Sequence, residues 1–297
     1  MSERISASVQ VNNISNYSNN MKSFSEYRNT SNNRAIEESA PQYTQFPKNK
    51  KELYDIIAIE ISEQGYNADL NHIDVSRITD FSGLFESSEF NGDISKWDVS
   101  NAEDMSHMFS SSKFNGDLSD WDVSNVKDMS YMFSNSSFNG DISGWDVSRV
   151  TNMGSMFAWS KFNSDISYWN VSNVKSMIGM FSGCDDFNCN LKRWNTKNVE
   201  DMCFMFYSTA SFNQDISRWN VSNVIDMHNM FGDASKFNQD ISRWDVSKVT
   251  NMRGMFKNAS SFNQDISKWN VPDDVDMFEM FEGCPCPEEY QPKLKDV

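Results

Sequence analysis

The sequence predicts a repeat solenoid, because one pattern of residues recurs every 24 or 25 positions over most of the chain. The tryptophans mark this period most clearly: they are Trp97, Trp121, Trp145, Trp169, Trp194, Trp219, Trp244 and Trp269. A Met-Phe pair follows each of them by 11 residues, and sixteen of the 18 methionines occupy just two positions of the repeat. Since one coil of such a repeat cannot bury its own apolar residues, we expect about nine coils to stack around a continuous core.

The apolar residues in the first half of each repeat predict a short strand. Ile94, Trp97 and Val99 stand at i, i+3 and i+5, which is the spacing of the strand in leucine-rich repeats. The period of 24 or 25 residues also lies within the range of that class. We therefore expect a leucine-rich-repeat-like solenoid in which these strands form a parallel β-sheet on one face.

The second half of each repeat predicts a short helix. Its apolar residues stand at i, i+3, i+6 and i+7, which places them on one helical face. In one repeat they are Val126, Met129, Met132 and Phe133. Ser124 stands where an N-cap residue would accept a hydrogen bond from the first turn. The face opposite the predicted sheet should therefore carry short α- or 3-10 helices and turns.

Composition divides the chain into four segments. Residues 1–46 are rich in Ser and Asn with little apolar periodicity, so we expect a disordered tail that could also be an export signal. Residues 47–66 carry an apolar helical face and are expected to form an N-terminal capping helix. Residues 67–283 form the predicted solenoid, and residues 284–297 a C-terminal cap or tail.

The net charge of -16 argues against nucleic acid as a partner, because phosphate contacts need Lys and Arg side chains. It also argues against binding to anionic membranes, and no apolar run reaches transmembrane length. Residues 1–20 lack the apolar region of a Sec signal peptide. We therefore expect no membrane insertion, and secretion by a non-Sec route such as that of type III effectors, with a cytoplasmic location as the alternative.

Two polar residues recur in the repeats and are expected to serve the turns. The Asn of the Phe-Asn-x-Asp motif should satisfy turn backbone groups inside the solenoid; its members are Asn91, Asn115, Asn139, Asn163, Asn188, Asn213, Asn238 and Asn263. The Asp two residues later recurs from Asp93 to Asp265, with Asn190 in its place in one repeat. We expect this Asp to cap turns, and a stack of carboxylates that binds calcium is the alternative.

Variable residues on the fixed scaffold are the candidate partner-binding residues, because solenoids usually bind through an extended face. The residue before each repeated Trp should point outward, and the charged or aromatic ones are Lys96, Asp120, Tyr168, Arg193, Arg218, Arg243 and Lys268. Their charge changes from mixed to basic along the stack, which could orient a partner. The other interpretation is that these cations pair with neighbouring Asp residues and keep the surface soluble.

Trp159 is the one Trp of the repeat region outside the regular series. It follows a Met-Phe pair, where other repeats carry Ser or Asn, and it is a candidate partner-binding anchor or a residue that packs its own loop. A second variable pair of positions separates the two Met residues of each repeat, and it holds Cys203-Phe204 and His228-Asn229 in two neighbouring repeats.

The cysteines and histidines predict no catalytic or metal site. Cys184, Cys189 and Cys203 come from adjacent repeats and could meet, but a zinc site would want four ligands, so we expect buried thiols that behave as small apolar groups. Cys284 and Cys286 should belong to the closing cap. The three His residues occupy unrelated repeat positions, and no catalytic motif is present. We expect no enzyme activity and no cofactor.

The repeated motif is specific enough to indicate a family. It combines the run Trp-Asp-Val-Ser-Asn-Val-x-Asp-Met-x-x-Met-Phe with Phe-Asn-x-Asp-Ile-Ser, and the first segment, Ala68 to Ser76, introduces it. This combination resembles the BspA-like leucine-rich-repeat surface protein family, from about Asp69 to Phe281. The resemblance implies a leucine-rich-repeat fold and a bacterial or protist surface or secreted protein linked to adhesion and host contact. The chain departs from the usual layout in having neither a Sec signal peptide nor a lipid-anchor Cys near its start.

These features together predict a protein-interaction module. We expect a secreted effector or surface-type protein with a role in virulence, which binds a host or other partner protein through the outward face of its solenoid. One alternative is a calcium-stiffened structural adhesin or assembly subunit, and another is a cytoplasmic scaffold. The oligomeric state is left open.

Overall fold

The computed structural model describes residues 42–294 of the chain. Residues 1–41 and 295–297 lie outside the described part, and with them lies most of the segment predicted to be a disordered tail. The described residues form successive coils in which equivalent residues of the repeat lie one above the next. Single-residue parallel bridges connect each coil to its neighbours along one column: Asp80, Asp104, Asp128, Asn152, Ser176, Asp201, Asp226, Asn251 and Asp276.

The predicted leucine-rich-repeat-like fold class, with a parallel β-sheet on one face and short helices on the other, is wrong. Within residues 42–294 the isolated bridges are never extended into a strand, so there is no sheet. The segment expected to be helical around Met129 and Met132 is a run of turns. The helices of the described part are one α-helix, Lys50–Gln64, and one 3-10 helix, Glu288–Tyr290.

Tight turns replace both predicted elements. In the first half of a coil the amide of Trp97 donates to the carbonyl of Ile94 at 3.1 Å, and in the second half the amide of Met108 donates to the carbonyl of Met105 at 3.2 Å. An α-helix would close over four residues rather than three, and a strand would direct these amides to its neighbours. A chain of such turns also brings residues at i and i+3 to the same side, so the apolar spacing alone did not distinguish it from a strand or a helix.

Asp side chains shape these turns, as the composition predicted. Oδ1 of Asp93 accepts a hydrogen bond from the amide of Ser95 at 2.9 Å, and Oδ1 of Asp104 accepts one from the amide of Ser106 at 2.8 Å. The same bond recurs in the other coils, so the turn-capping interpretation of the repeated Asp is confirmed. Side chains that bond the backbone two residues later imitate a turn and stabilise it without glycine.

In the segment around each Met-Phe pair, the backbone hydrogen bonds to the next coil all run in one direction. Four of its amides donate to carbonyl groups of the next coil over 2.6 to 3.1 Å; in one coil they belong to Met105, His107, Phe109 and Ser111. The edge facing the next coil therefore offers N–H donors, and the edge facing the preceding coil offers C=O acceptors. An edge of a β-strand presents both groups. Positive φ angles at two residues of each segment, such as His107 (57°) and Ser111 (56°), accompany this geometry.

Columns of apolar side chains fill the interior, which confirms the predicted core. The eight repeated Trp residues are only 3–4% exposed. Rings of consecutive coils lie nearly parallel: the centroids of Trp97 and Trp121 are 6.4 Å apart with an interplanar angle of 7°, and those of Phe109 and Phe133 are 5.6 Å apart at 3°. Stacked pairs of equivalent rings from neighbouring coils recur along the core, which is why the core needs the stack.

Each repeated Trp also ties its coil to the preceding one by a hydrogen bond. The indole Nε1 donates to the carbonyl oxygen of the Ile or Leu that opens the turn of the preceding coil, over 2.9 to 3.2 Å in all eight cases. A buried indole N–H needs such a partner. The bond therefore fixes both the orientation of the ring and the register between coils.

The α-helix Lys50–Gln64, here called α1, lies at the beginning of the stack, within the segment whose periodicity indicated a helix. The side chain of Asn49 caps its first turn, and Leu53 and Ile57 are buried in the core. No helix within residues 42–294 has both the length and the apolar character needed to cross a membrane.

Short backbone contacts close the two ends of the described part. Before α1, the amide of Thr44 donates to the carbonyl of His72 at 2.9 Å. After the last coil, the amide of Ile266 donates to the carbonyl of Tyr290 at 2.9 Å. Cys286 is buried beside this contact region, in the segment expected to form the closing cap.

Replacing Trp169 by Phe should lower the free energy of unfolding by about 2–4 kcal/mol, because it removes one of the two donors to the carbonyl of Ile142, which keeps only the amide of Trp145, and leaves the ring space incompletely filled. Urea unfolding followed by circular dichroism measures the change. The neighbouring Tyr168→Phe variant is the control, since Tyr168 is 71% exposed and should change stability by no more than about 0.5 kcal/mol. Equal stability of the Trp169→Phe variant and the wild type would contradict the role given to the indole bond.

Candidate functional site

The predicted partner-binding residues other than Trp159 lie on the surface in one column, here called the outward column. In each coil one turn buries an Ile or Leu and the Trp three residues later. The same turn directs the residue immediately before the Trp away from the core. All members are exposed, and the exposed fraction of Tyr168 is 71%. The members are Lys96, Asp120, Tyr168, Arg193, Arg218, Arg243 and Lys268.

The last four members of the outward column are cations without an ion pair. Among the described residues, none of them has a carboxylate oxygen within 4.0 Å; they are Arg193, Arg218, Arg243 and Lys268. The guanidinium of Arg193 packs over the ring of Tyr168 instead, 4.7 Å from its centroid. These charges are therefore available to a partner. The alternative interpretation, in which these four cations pair with neighbouring Asp residues, is wrong.

A groove of about 890 Å³ crosses several coils beside the outward column. Residues at two repeat positions line it, and they follow the outward position by five and by seven residues along each coil. We call it the side groove. Its lining residues are Lys127, Arg149, Thr151, Asn173, Lys175, Asn198, Glu200, Asn223, Ile225 and Lys248.

A ladder of amide side chains forms the floor of the side groove. Nδ2 of Asn173 donates to the carbonyl of Ser148 at 2.7 Å, and Asn198 and Asn223 make the equivalent bond in the next two coils. Lys248 takes the place of Asn in its coil, and its Nζ donates to Oδ1 of Asn223 at 2.7 Å. The ladder holds these groups in register, so the groove has a fixed polar floor.

Cations dominate the lining of the side groove. Lys127, Arg149, Lys175 and Lys248 contribute positive charge, and Glu200 is the one carboxylate among the lining residues. Nζ of Lys127 is paired with Glu103 at 2.7 Å. A chain with a net charge of -16 thus has a basic groove next to a basic column, which focuses attraction for an acidic partner on this side of the coils.

The structure does not place Trp159 in the outward column. It follows Phe157, whose ring meets that of Trp169 inside the core at 6.3 Å, so its turn lies on the opposite side of the coil. Trp159 is 58% exposed and has a φ of 58°. Its indole lies on the backbone of Gly183, where an added Cβ would come within 2.3 Å of Cε3.

Replacing Gly183 by Ala should lower the free energy of unfolding by about 2–3 kcal/mol, because Ala is strained at its φ of 68° and its Cβ would clash with Trp159. In a Trp159→Ser background the cost should fall to about 1 kcal/mol, which leaves only the backbone strain. Gly65→Ala is the matched control, since Gly65 also has positive φ but nothing within 4 Å of its Cβ position. Equal costs in both backgrounds would mean that Trp159 does not pack on Gly183.

The repeated Asn residues form a ladder of hydrogen bonds at the surface, whereas the sequence had predicted it inside the solenoid. Oδ1 of Asn91 accepts from the amide of Asn115 at 2.8 Å, and Oδ1 of Asn115 accepts from the amide of Asn139 at 3.0 Å. The prediction that these side chains satisfy backbone groups is confirmed, but its location was wrong. The preceding Phe takes the core position, so the Asn beside it must face outward.

Hydrogen bonds and, in one coil, an ion pair lower the pKa values of six of the repeated Asp residues: Asp93, Asp117, Asp141, Asp215, Asp240 and Asp265. The side chain of Lys192, 2.6 Å from Oδ2, is the first cause of a pKa of about 2 for Asp215, and Ser217 is the next. For Asp117 the amide and hydroxyl of Ser119 lower the pKa, and the neighbouring Asp141 raises it less. These carboxylates are therefore charged and hydrogen-bonded at neutral pH.

Because folding lowers the pKa of Asp215, its charged form stabilises the protein above the unfolded pKa of about 3.9. This contribution should disappear as the pH falls from about 4 to about 2. The Asp215→Asn variant keeps a side-chain oxygen that can accept the hydrogen bond of the turn, as Asn190 does in its own coil. The Asn side chain has no titratable group. We expect urea unfolding to show a smaller loss of stability between these two pH values for Asp215→Asn than for the wild type, and an identical loss would contradict this assignment.

The three central cysteines do not meet. Sγ of Cys184 donates to the carbonyl of Phe157 at 2.7 Å, and burial raises its pKa to about 11. Sγ of Cys189 donates to the carbonyl of Ser164 at 3.0 Å. Cys203 lies elsewhere, beside Asp226 and His228. Cys203 and His228 stand at the same position of the repeat in adjacent coils, and this shared position is the signal in the sequence that could have connected them.

Comparison with known families places the chain in one of them. Three overlapping segments, residues 57–159, 135–220 and 180–291, match the family described as "Mycoplasma protein of unknown function, DUF285". The chain belongs to this family. The repeated, overlapping matches agree with the repeat nature of the chain. Comparison with curated proteins and with solved structures gives no match.

Proposed function

We propose that this protein is a protein-interaction module that binds an extended acidic segment of a partner protein. The observation that carries the proposal is the row of unpaired cations in the outward column: Arg193, Arg218, Arg243 and Lys268. One cation is offered by each successive coil, so a chain laid along the stack would meet them at regular intervals. No catalytic group is part of this proposal.

The side groove supports the same kind of partner. Its amide floor offers side chains that can bond to a peptide backbone, and Lys175, Arg149 and Lys248 offer positive charge at its walls. Ile225 is 51% exposed there and gives one apolar contact. Rim charges of this kind mainly accelerate association and select the partner, so binding should weaken as the salt concentration rises.

We also propose an exported, surface-type role for the protein. The match to a repeat family supports this, together with the motif that resembles the BspA-like surface proteins. In this proposal the partner is a host or surface protein, and export follows a non-Sec route. A cytoplasmic scaffold that uses the same face is the alternative, and it would bind the same acidic chemistry.

A calcium-stiffened adhesin or assembly subunit is the second candidate function. The observation that favours it is the column of like charges on adjacent coils, in which Asp117 lies close enough to Asp93 and Asp141 for both to raise its pKa, against the larger lowering by Ser119. A divalent cation would relieve that repulsion. Thermal unfolding with calcium and with EDTA separates the two candidates, and an unchanged Tm would remove this one.

Charge reversal in the outward column should abolish most of the binding to an acidic peptide. We expect the triple variant Arg193→Glu, Arg218→Glu, Arg243→Glu to bind a fluorescent poly-glutamate peptide at least about tenfold more weakly than the wild type at moderate salt, since several cations are lost together. Fluorescence anisotropy at two salt concentrations gives the affinities, and pull-down with each variant extends the test to natural partners.

The control variant carries the same change of net charge at another column: Lys113→Glu, Lys161→Glu, Lys236→Glu. These three residues are exposed and stand at one repeat position just before the core Phe. Binding that is unchanged in the first variant would remove the outward column from the proposal. An equal loss in both variants would show a general effect of net charge.

A further inference from the structure

Cys203 and His228 occupy the same variable position in two adjacent coils. The position follows the first Met of each coil, or Phe81 in the coil that lacks this Met, and in three other coils it holds Ser82, Ser106 and Ser130. A parallel bridge between Asp201 and Asp226, two residues earlier, fixes the register of these two coils. The stack therefore places the thiol and the imidazole one above the other, with a carboxylate beside each.

Three ligand atoms of this group converge. Sγ of Cys203, a carboxylate oxygen of Asp226 and a ring nitrogen of His228 all lie within 4.8 Å of one another. Nδ1 of His228 is 2.7 Å from Oδ1 of Asp226. Donors around tetrahedral zinc stand about 2.0–2.3 Å from the metal, so small side-chain rotations bring this trio onto one ion.

We propose that Cys203, Asp226 and His228 form a site for zinc or a similar divalent transition metal. A thiolate, an imidazole and a carboxylate are the ligands that zinc prefers, whereas calcium and magnesium prefer oxygen alone. With three protein ligands, the fourth tetrahedral position is open to water or to another small donor. Cys203 and His228 lie between the two Met residues of their coils, and Asp226 lies directly before the first Met of its coil, apart from the outward column.

The surroundings hold the three ligands in place. The amide of His228 donates to Oδ1 of Asp226 at 2.8 Å, and Nδ2 of Asn251 donates to its Oδ2 at 3.0 Å. The ring of Phe204 meets the imidazole edge-on, with centroids 4.4 Å apart. Such outer contacts orient metal ligands and contribute to affinity.

Charge and access both suit a cation. Cys203 is 6% exposed, while the side chains of Asp226 and His228 are 28% and 25% exposed, so an ion can reach the ligands from one side. The carboxylates of Asp201 and Asp226 make the group negative. Arg253 continues the column in the next coil, but its guanidinium packs over the ring of Phe278, 4.5 Å from the centroid.

Metal binding would release one proton. Burial, followed by a hydrogen bond with Asp201 and then by the charges of Asp201 and Asp226, raises the pKa of Cys203. A cysteine side chain is a thiol at neutral pH unless its surroundings lower its pKa. On binding, the S–H bond breaks, its proton passes to solvent, and the sulfur electron pair forms the bond to the metal. His228 would bind through Nδ1, whose proton would pass to Nε2 by exchange with solvent, while Oδ1 of Asp226 turns from the imidazole to the ion.

Titration of the full chain with cobalt(II) under a non-chelating reductant tests the proposal. We expect one equivalent to bind and to produce a thiolate-to-cobalt charge-transfer band, which zinc then removes by competition. The variants Cys203→Ser and His228→Ser each introduce Ser, which three other coils carry at the same repeat position. Both variants should therefore fold. Each should weaken binding by more than about 100-fold, since loss of an outer-shell contact already costs 10- to 100-fold.

Two matched variants serve as controls. Cys189→Ser removes a half-buried thiol, and His107→Asn removes an imidazole at a neighbouring repeat position; both should keep the band and the affinity. A wild-type chain without the band, or a band that persists in Cys203→Ser, would overturn the proposal. Circular dichroism of each variant confirms that the coils are intact, and none of these outcomes bears on the outward column.

Discussion

Every coil relies on its two neighbours for the partners of its polar backbone groups. Around each Met-Phe pair the amides donate forward to the next coil, while the indole of each repeated Trp donates backward to the preceding one. Because buried donors without acceptors cost free energy, a coil that slips by one residue loses both sets of bonds together. This two-way dependence fixes the register and makes the whole stack one cooperative structure.

The fixed register leaves a few positions of the repeat free to vary. The outward column varies because the turn before each Trp directs one side chain away from the core. Its basic half, next to the cationic walls of the side groove, supports the proposed acidic partner. The position that holds Cys203 and His228 varies on another side of the coil, where stacking brings any two successive residues together. Binding chemistry can therefore differ between coils without a change in the scaffold.

The sequence predicted the roles of the repeated side chains correctly, but it did not predict the path of the backbone. The buried Trp, Met and Phe columns and the Asp turn caps followed from the repeat and from the hydrogen-bonding habits of Asp. The sheet and the short helices did not form, because three-residue turns satisfy the same apolar spacing. The left-handed residues were also hidden, since Tyr131, Trp159 and Phe204 hold positions with positive φ where glycine would have been the signal.

The sequence by itself determined that equivalent residues lie one above another, because only stacked coils can bury so many aromatic side chains at a constant period. It therefore also determined the membership of each column, including the four basic residues from Arg193 to Lys268. The tertiary structure alone decided which columns line the side groove, that the Asn ladder lies at the surface, and that the cations have no ion pair within the described residues. These properties depend on the path of the backbone through each turn, which hydrogen bonds between coils decide and which no local pattern of residues specifies.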